Sequence, residues 1–202
     1  MLRTGLVIVA AALIVACASD GPSYFLEGHA EFDATTVVDA PDAVPGTYAP
    51  ENRGVVERGK YMVELMACGA CHTDGALVGN PDMERPLAGS DTGIAFTSPL
   101  DTDYPGIVYP PNITPDAKTG IGDWTDVQIG DAISAGIGRH AGRRIKSMPW
   151  PAYARMTDDD IDAIVSYLRS IKPIRHEVPD EVAPGRRASK PFVYFGVYEG
   201  TP

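Results

Sequence analysis

Two thiols and an imidazole fall within five residues, Cys68-Gly69-Ala70-Cys71-His72, and the chain that follows them has no side-chain pattern on which to fold. From His72 to Trp124 it is studded with glycine and proline and shows neither helical nor alternating apolar periodicity. A connection of that length without elements of its own is uncommon inside a compact domain. Something other than ordinary side-chain packing must organise it, and the ligand-rich motif stands at its start. With 3 cysteines and 4 histidines in 202 residues, every candidate ligand can be weighed.

The flanks of this segment are regular. Asn52 is placed to cap a helix over 54–66, in which Val55, Val56, Tyr61, Met62, Leu65 and Met66 recur at helical spacing on one face. A second helix is expected over 125–135 on Val127, Ile129, Ala132 and Ile133. The third pattern is the clearest. Thr157 with Asp160 forms a capping box, Asp158 and Asp159 suit the positive end of the helix dipole, and Ile161, Ile164, Val165, Leu168 and Ile171 make the apolar stripe. Pro173 stops it. The compact domain is accordingly placed at 53–175.

Outside that domain the composition changes. Residues 1–16, with Arg3 ahead of an apolar run from Leu6 to Val15, are too short in their apolar part to span a bilayer and read as a secretory signal. The junction Ile14-Val15-Ala16-Cys17 resembles the lipobox of bacterial lipoproteins, in which Cys17 is acylated and becomes the mature N-terminus. Ala16-Cys17-Ala18 also satisfies a small-x-small cleavage pattern that would release a soluble protein. The lipobox is preferred because a lone cysteine here otherwise has no use. Residues 17–52 hold no Lys or Arg and several scattered Asp and Glu, the composition of a self-repelling flexible tether; the alternative is that "ATTVVDA" packs on the domain as a short strand. Residues 176–202 form an extension ending in the aromatic stretch "KPFVYFGVYEG", either a strand covering the domain or a docking segment. The balance of 17 basic against 27 acidic groups argues against a nucleic-acid partner.

Three chemistries could use Cys68, Cys71 and His72. Zinc would require further ligands, yet there is no second CxxC and no HxxxH, and adjacent Cys71 and His72 are strained as ligands of one ion. A thioredoxin-like redox pair would follow a strand and precede a helix, whereas here a helix precedes and a polar loop follows. Covalent attachment of c-type haem is the chemistry for which C-x-x-C-H is the specific signature, and an exported chain suits it. In that reading Cys68 and Cys71 are thioether anchors and His72 is the proximal iron ligand. The large apolar area of a haem would also serve as the core for the unpatterned segment.

The stretches "ERGKYMVELMACGACHT", "PPNITPDAKTGIGDWTDVQIGDAI" and "GRHAGRRIKSMPWPAYARMTDDDIDAIVSYLRSI" resemble class I cytochrome c, and in detail the cytochrome c subunits of membrane-associated bacterial dehydrogenases. The resemblance implies an all-α class I fold, three to four helices with long loops wrapped around one covalent haem c. It implies Met148, between Ser147 and Pro149, as the sixth ligand, and the flanking prolines would restrict the backbone that aims it. His140 is the rival axial ligand; Met62 and Met66 read as core, Met83 and Met156 as less suited, and His29 and His176 as solvated side chains. The carbonyl of Pro111 matches the acceptor for the proximal imidazole N–H. Trp124 matches a donor to a haem propionate, with core packing as its alternative. Gly59 and Tyr167 match the small-against-aromatic helix crossing of the fold.

Six-coordinate His/Met iron leaves no site for a substrate, so the expected role is one-electron transfer and not catalysis, relaying electrons between a dehydrogenase and the respiratory chain. The alternative is a haem peroxidase or ligand sensor with a labile sixth ligand. Expected partners are redox proteins, such as a dehydrogenase, a terminal oxidase or another cytochrome, and a membrane on its periplasmic side, reached through the lipid on Cys17. Arg139, Arg143, Arg144 and Lys146 cluster ahead of Met148 and either dock an acidic partner or neutralise propionates and nearby aspartates.

Overall fold

The computed structural model describes residues 37–138 and 147–196. Among these, five α-helices run in the order α1 (Arg53–Leu65), α2 (Cys68–His72), α3 (Asp126–Ala135), α4 (Trp150–Tyr153) and α5 (Asp158–Ser170). Three short strands, β1 (Gly93–Ala95), β2 (Ile107–Val108) and β3 (Phe192–Tyr194), form one sheet in the order β2-β1-β3. Residues 1–36, with Cys17 and His29, the basic cluster from Arg139 to Lys146, with His140, and the last six residues lie outside the described residues.

The frame is the crossing of α1 and α5. It is close because α1 offers Gly59 there: a Cβ at that position would lie 2.0 Å from the Ala163 carbonyl oxygen and 2.6 Å from the Tyr167 Cβ. Val56 and Val63 of α1 pack with Ile164, Val165, Tyr167 and Leu168 of α5 and with Ile129 and Ile133 of α3 into one core. Met62 and Met66 pack against that core, as the periodicity implied. Val55, Tyr61 and Leu65 do not: they are exposed, so the buried stripe of α1 is narrower than its apolar pattern suggested.

The helix starts differ from the sequence reading in detail. Asn52 precedes α1 without a side-chain cap, because Pro50–Asn52 already forms a 3-10 turn feeding the helix. Thr157 caps α5 by accepting from the Asp160 N–H, but the Asp160 carboxylate turns away from the reciprocal bond to pair with Arg58 of α1. The full reciprocal box is at α3, where the Thr125 hydroxyl accepts from the Gln128 N–H and the Gln128 side chain accepts from the Thr125 N–H.

The sheet departs from the all-α expectation. Two of its strands come from the segment that lacks periodicity and the third from the C-terminal extension, and they read poorly because each is only two or three residues long. β1 pairs antiparallel with β2, Ile94 opposite Val108, and parallel with β3, Ile94 opposite Val193. The C-terminal extension thus covers the domain as a strand, and Val182 bridges to Ile107. Ala95, Ile107 and Tyr109 form a second, smaller core beneath it.

The flexible-tether reading also requires correction at its C-terminal end. Val38 and Ala40 are buried, the Val44 N–H donates to the Ser170 carbonyl at 2.7 Å, and the Tyr167 hydroxyl donates to the Pro41 carbonyl at 2.5 Å. Asp42 accepts from Lys60 at 2.6 Å. Two small apolar residues and one acid that finds a lysine are enough to seat this segment, although no strand forms.

Candidate functional site

The site begins where α1 ends. Met66 closes that helix, and Ala67 takes a left-handed conformation with φ of 52°, which turns the chain so that Cys68 opens a new helix. An L-residue held there costs about 1–2 kcal/mol, so the turn is one that the surrounding packing enforces. The motif CGACH occupies the whole of α2, placing Cys68, Cys71 and His72 on little more than one turn. Gly69 is buried beneath Val38: a Cβ there would lie 2.8 Å from the valine Cγ1, so the motif's glycine makes room for the N-terminal segment.

His72 Nδ1 lies 2.7 Å from the Pro111 carbonyl oxygen. A carbonyl can only accept, so Nδ1 carries the proton and Nε2 keeps its lone pair. Burial holds the imidazole below its ordinary pKa, and the Pro111 bond opposes that shift without reversing it. The outcome is a neutral ring of defined tautomer, the form in which histidine ligates a metal.

The backbone around this bond is tied at several points. The His72 carbonyl accepts from the Gly89 N–H at 2.8 Å, and the Thr73 hydroxyl accepts from the Leu87 N–H at 3.0 Å. The Leu87 carbonyl accepts from the Ile113 N–H, and the Pro110 carbonyl from the Ser90 N–H, both at 3.0 Å. Leu87 is fully buried in the left-handed region, at φ of 62°.

Burial pushes the Cys68 thiol up to about 12, with the neighbouring Cys71 as a further cause, and raises Cys71 as well. An upward shift is the opposite of what sets apart the low-pKa thiols of redox-active pairs. Among the described residues there is no group of three or more His, Cys, Asp or Glu side chains that could hold a metal, as a zinc site would need. Tyr153 at the end of α4 is pushed up to about 12 by burial first and then by the two cysteines, and its hydroxyl donates to the Met66 carbonyl at 3.4 Å, just ahead of the motif.

Met148 is partly buried in the turn that leads into α4, where its carbonyl accepts from the Trp150 N–H at 2.8 Å. α4 packs on α3, and a Cβ at Gly136 would lie 2.7 Å from the Trp150 indole. Trp124 packs against the main core and lines a cleft of about 350 Å³ with Asp123, Gln128, Asp131, Ile137 and Gly138. The structure therefore gathers Cys68, Cys71, His72 and Pro111 into one contact group. Met148 and Trp124 occupy separate positions on the α4 turn and ahead of α3, and Cys17 lies outside the described residues.

The cytochrome c family model matches residues 56–172, more than half of the chain. The chain belongs to the cytochrome c family. Domains of this family carry covalently bound haem c. The residues of α2 fit such a group: two cysteines close together on one short helix, and beside them an imidazole whose Nδ1 is taken by the Pro111 carbonyl, leaving Nε2 for a metal. This cytochrome c is 35% identical over 132 residues to the alcohol dehydrogenase (quinone) cytochrome c subunit of Gluconobacter oxydans (strain 621H), covering 64% of this chain and 24% of that one. It is 33% identical over 149 residues to the fructose dehydrogenase cytochrome subunit of Gluconobacter japonicus, covering 73% and 26%. It is 31% identical over 134 residues to the gluconate 2-dehydrogenase cytochrome c subunit of Pantoea cypripedii, covering 66% and 27%. The chain thus spans about a quarter of the length of these curated relatives.

Sequence reasoning missed Tyr153, Thr73, Leu87 and Asn112, and it misread His176. The ring of His176 is not solvated: its side chain is only 11% exposed, and Nδ1 lies 2.8 Å from the Ala88 carbonyl oxygen. Thr73 could have been found as the residue directly after the motif. Leu87 carried no signal, since nothing in its neighbours announces a left-handed leucine.

Proposed function

We propose that this cytochrome c is a one-electron carrier with a single haem c. Cys68 and Cys71 anchor it by thioethers, His72 and Met148 are its axial ligands, and it relays electrons between a dehydrogenase and the respiratory chain. The observation that carries the reading is the 2.7 Å contact of His72 Nδ1 with the Pro111 carbonyl, beside two cysteines on one short helix. The relatives named as cytochrome subunits of dehydrogenases support a dehydrogenase as one partner. When bound, the haem supplies a one-electron iron couple, and a thioether ligand raises its potential.

The chain's own residues do the rest. The Pro111 carbonyl holds the His72 ring in one orientation and raises its basicity. Pro149 and Pro151 limit the turn that presents Met148. Tyr153 and Cys68 pack against the same apolar core, which would keep water from a thioether formed there. Trp124 is assigned to a propionate. With His72 and Met148 both engaged in holding the iron, no place would be left for a substrate, and the protein would work as a carrier and not as an enzyme.

The proposed boundaries are a lipoprotein signal at 1–16, an N-terminal segment at 17–52 starting from an acylated Cys17, the haem domain at 53–175 and the extension at 176–202. The protein would then face the periplasm from a bacterial membrane. Among the described residues no helix is long and apolar enough to cross a membrane. Two measurements test the proposal. Haem should resist acid-acetone extraction in one equivalent per chain, and protein taken from its native membrane should bring a dehydrogenase with it. Extractable haem, or free thiols at both Cys68 and Cys71 by mass spectrometry, would refute the anchoring.

A further inference from the structure

The C-terminal segment beginning at Ile174 lies beyond the region that matches the family, yet it is hydrogen-bonded to the loop that carries Pro111. Asn112, next to Pro111, is 2% exposed and has its amide fully used. Its Nδ2 donates to the Ile174 carbonyl at 2.7 Å and to the Thr119 hydroxyl at 3.0 Å, while Oδ1 accepts from the Thr114 N–H at 2.9 Å and the Thr114 hydroxyl at 2.8 Å. The Ile174 N–H in turn donates to Thr114 Oγ1, and the His176 N–H to Thr119 Oγ1, both at 3.1 Å. The His176 ring then reaches the opposite loop through Ala88, with Nε2 3.4 Å from Asp91. That second loop holds the His72 carbonyl through Gly89 and the Thr73 hydroxyl through Leu87.

These contacts close a ring. Pro111 sits on a loop and His72 ends α2, whose last carbonyl is held by the 87–91 loop; His176 and Ile174 fasten that loop to the one carrying Pro111. Gly89 fits into the join without spare room: a Cβ there would lie 2.5 Å from Val178 of the extension and 2.8 Å from the Asn112 nitrogen. We propose that residues 174–178 are a positioning clamp, with His176 as its key side chain, that fixes the Pro111 carbonyl against His72 Nδ1 and so sets the donor strength of the proximal ligand. This rests on the reading of His72 as that ligand. A carbonyl held close to Nδ1–H makes the imidazole more basic and favours oxidised iron. A loosened clamp lets the carbonyl drift, and the potential rises.

The test uses the holoprotein as wild type, His176→Ala, His176→Asn, Thr119→Val and Lys190→Ala. Two readouts are taken, the reduction potential and the hydrogen-exchange rate of the His72 ring N–H by NMR of the reduced protein. Loss of one clamp bond, of order 1 kcal/mol, should speed that exchange about fivefold in His176→Ala and raise the potential. His176→Asn, whose amide can replace the donation to Ala88, should return both values toward wild type. Thr119→Val keeps the side-chain shape and removes the acceptor shared by Asn112 and His176, so it should act in the same direction as His176→Ala. Lys190→Ala removes only the outer ion pair with Asp91 and should change neither value. Wild-type exchange and potential in folded Thr119→Val would overturn the clamp, and this variant decides alone if His176→Ala does not fold. A wild-type protein without covalent haem would fail the haem assignment instead, leaving the two ideas separable.

Discussion

Replacing Gly59 by alanine puts a single methyl group where the two main helices touch. Its Cβ would lie 2.0 Å from the Ala163 carbonyl oxygen, against an ordinary contact of 3.4–4 Å, so α1 and α5 must part by more than about 1 Å. The obstructing atoms are backbone and the Tyr167 Cβ, and no flexible side chain can swing aside. Overpacking of this kind costs about 1–3 kcal/mol, and separation also weakens the contacts of Val56 and Val63, so the upper end applies. Alanine recovers up to about 1 kcal/mol of helix propensity over glycine. The net loss is about 2 kcal/mol, or a fall in melting temperature of about 4–8 °C for a chain of this size. Gly54, on the same helix, provides the control, because a Cβ added there would meet nothing within 4 Å. Gly54→Ala should be neutral or gain a few tenths of a kcal/mol. Guanidinium unfolding of the two holoproteins, followed by far-UV circular dichroism, makes the comparison. A Gly59→Ala midpoint equal to or above that of Gly54→Ala would refute the packing argument.

Met148→Ala should remove the weak near-infrared sulfur-to-iron band of the oxidised protein and lower its potential, while His140→Ala should keep the band; the reverse pattern would move the sixth ligand to His140. Cys17→Ser should release the protein from membranes without detergent, since an acylated N-terminus with several chains is the proposed anchor; unchanged retention in fractionation would sink that assignment. Arg58 beside Asp160 holds the carboxyl below the usual carboxylate range, so the pair's stabilisation is complete above that range and is lost as pH falls through the lowered value. Asp160→Asn should therefore unfold more easily than wild type at neutral pH and converge with it in acid, which urea titrations at several pH values would show.

The chemistry of the motif was legible because covalent attachment demands residue types at a fixed local spacing, and one helical turn is a local matter. Cys68, Cys71 and His72 fall together on α2 with no help from distant contacts. The same holds for the stripe of α5, where Ile164, Val165 and Leu168 are buried as their period implied. The matched glycine and aromatic of the helix crossing could be named, but the closeness of Gly59 to Ala163 is a property of two helices far apart in the chain and needs the fold.

Local sequence was silent where partners are remote and bonds run through backbone. Val38 filling the space above Gly69 and a leucine forced to positive φ at position 87 have no periodic signature, and the aromatic tail offers a strand as one of two readings while nothing local names its partner at 93–95. His176 looked solvated because its neighbours are polar, and only the return of the chain across the 87–91 loop buries it. Residue types at local spacing determined what this protein can hold. Where the His72 ring is held was decided by tertiary structure, because a carbonyl at 111 and an imidazole at 72 are 39 residues apart and meet only in the folded chain.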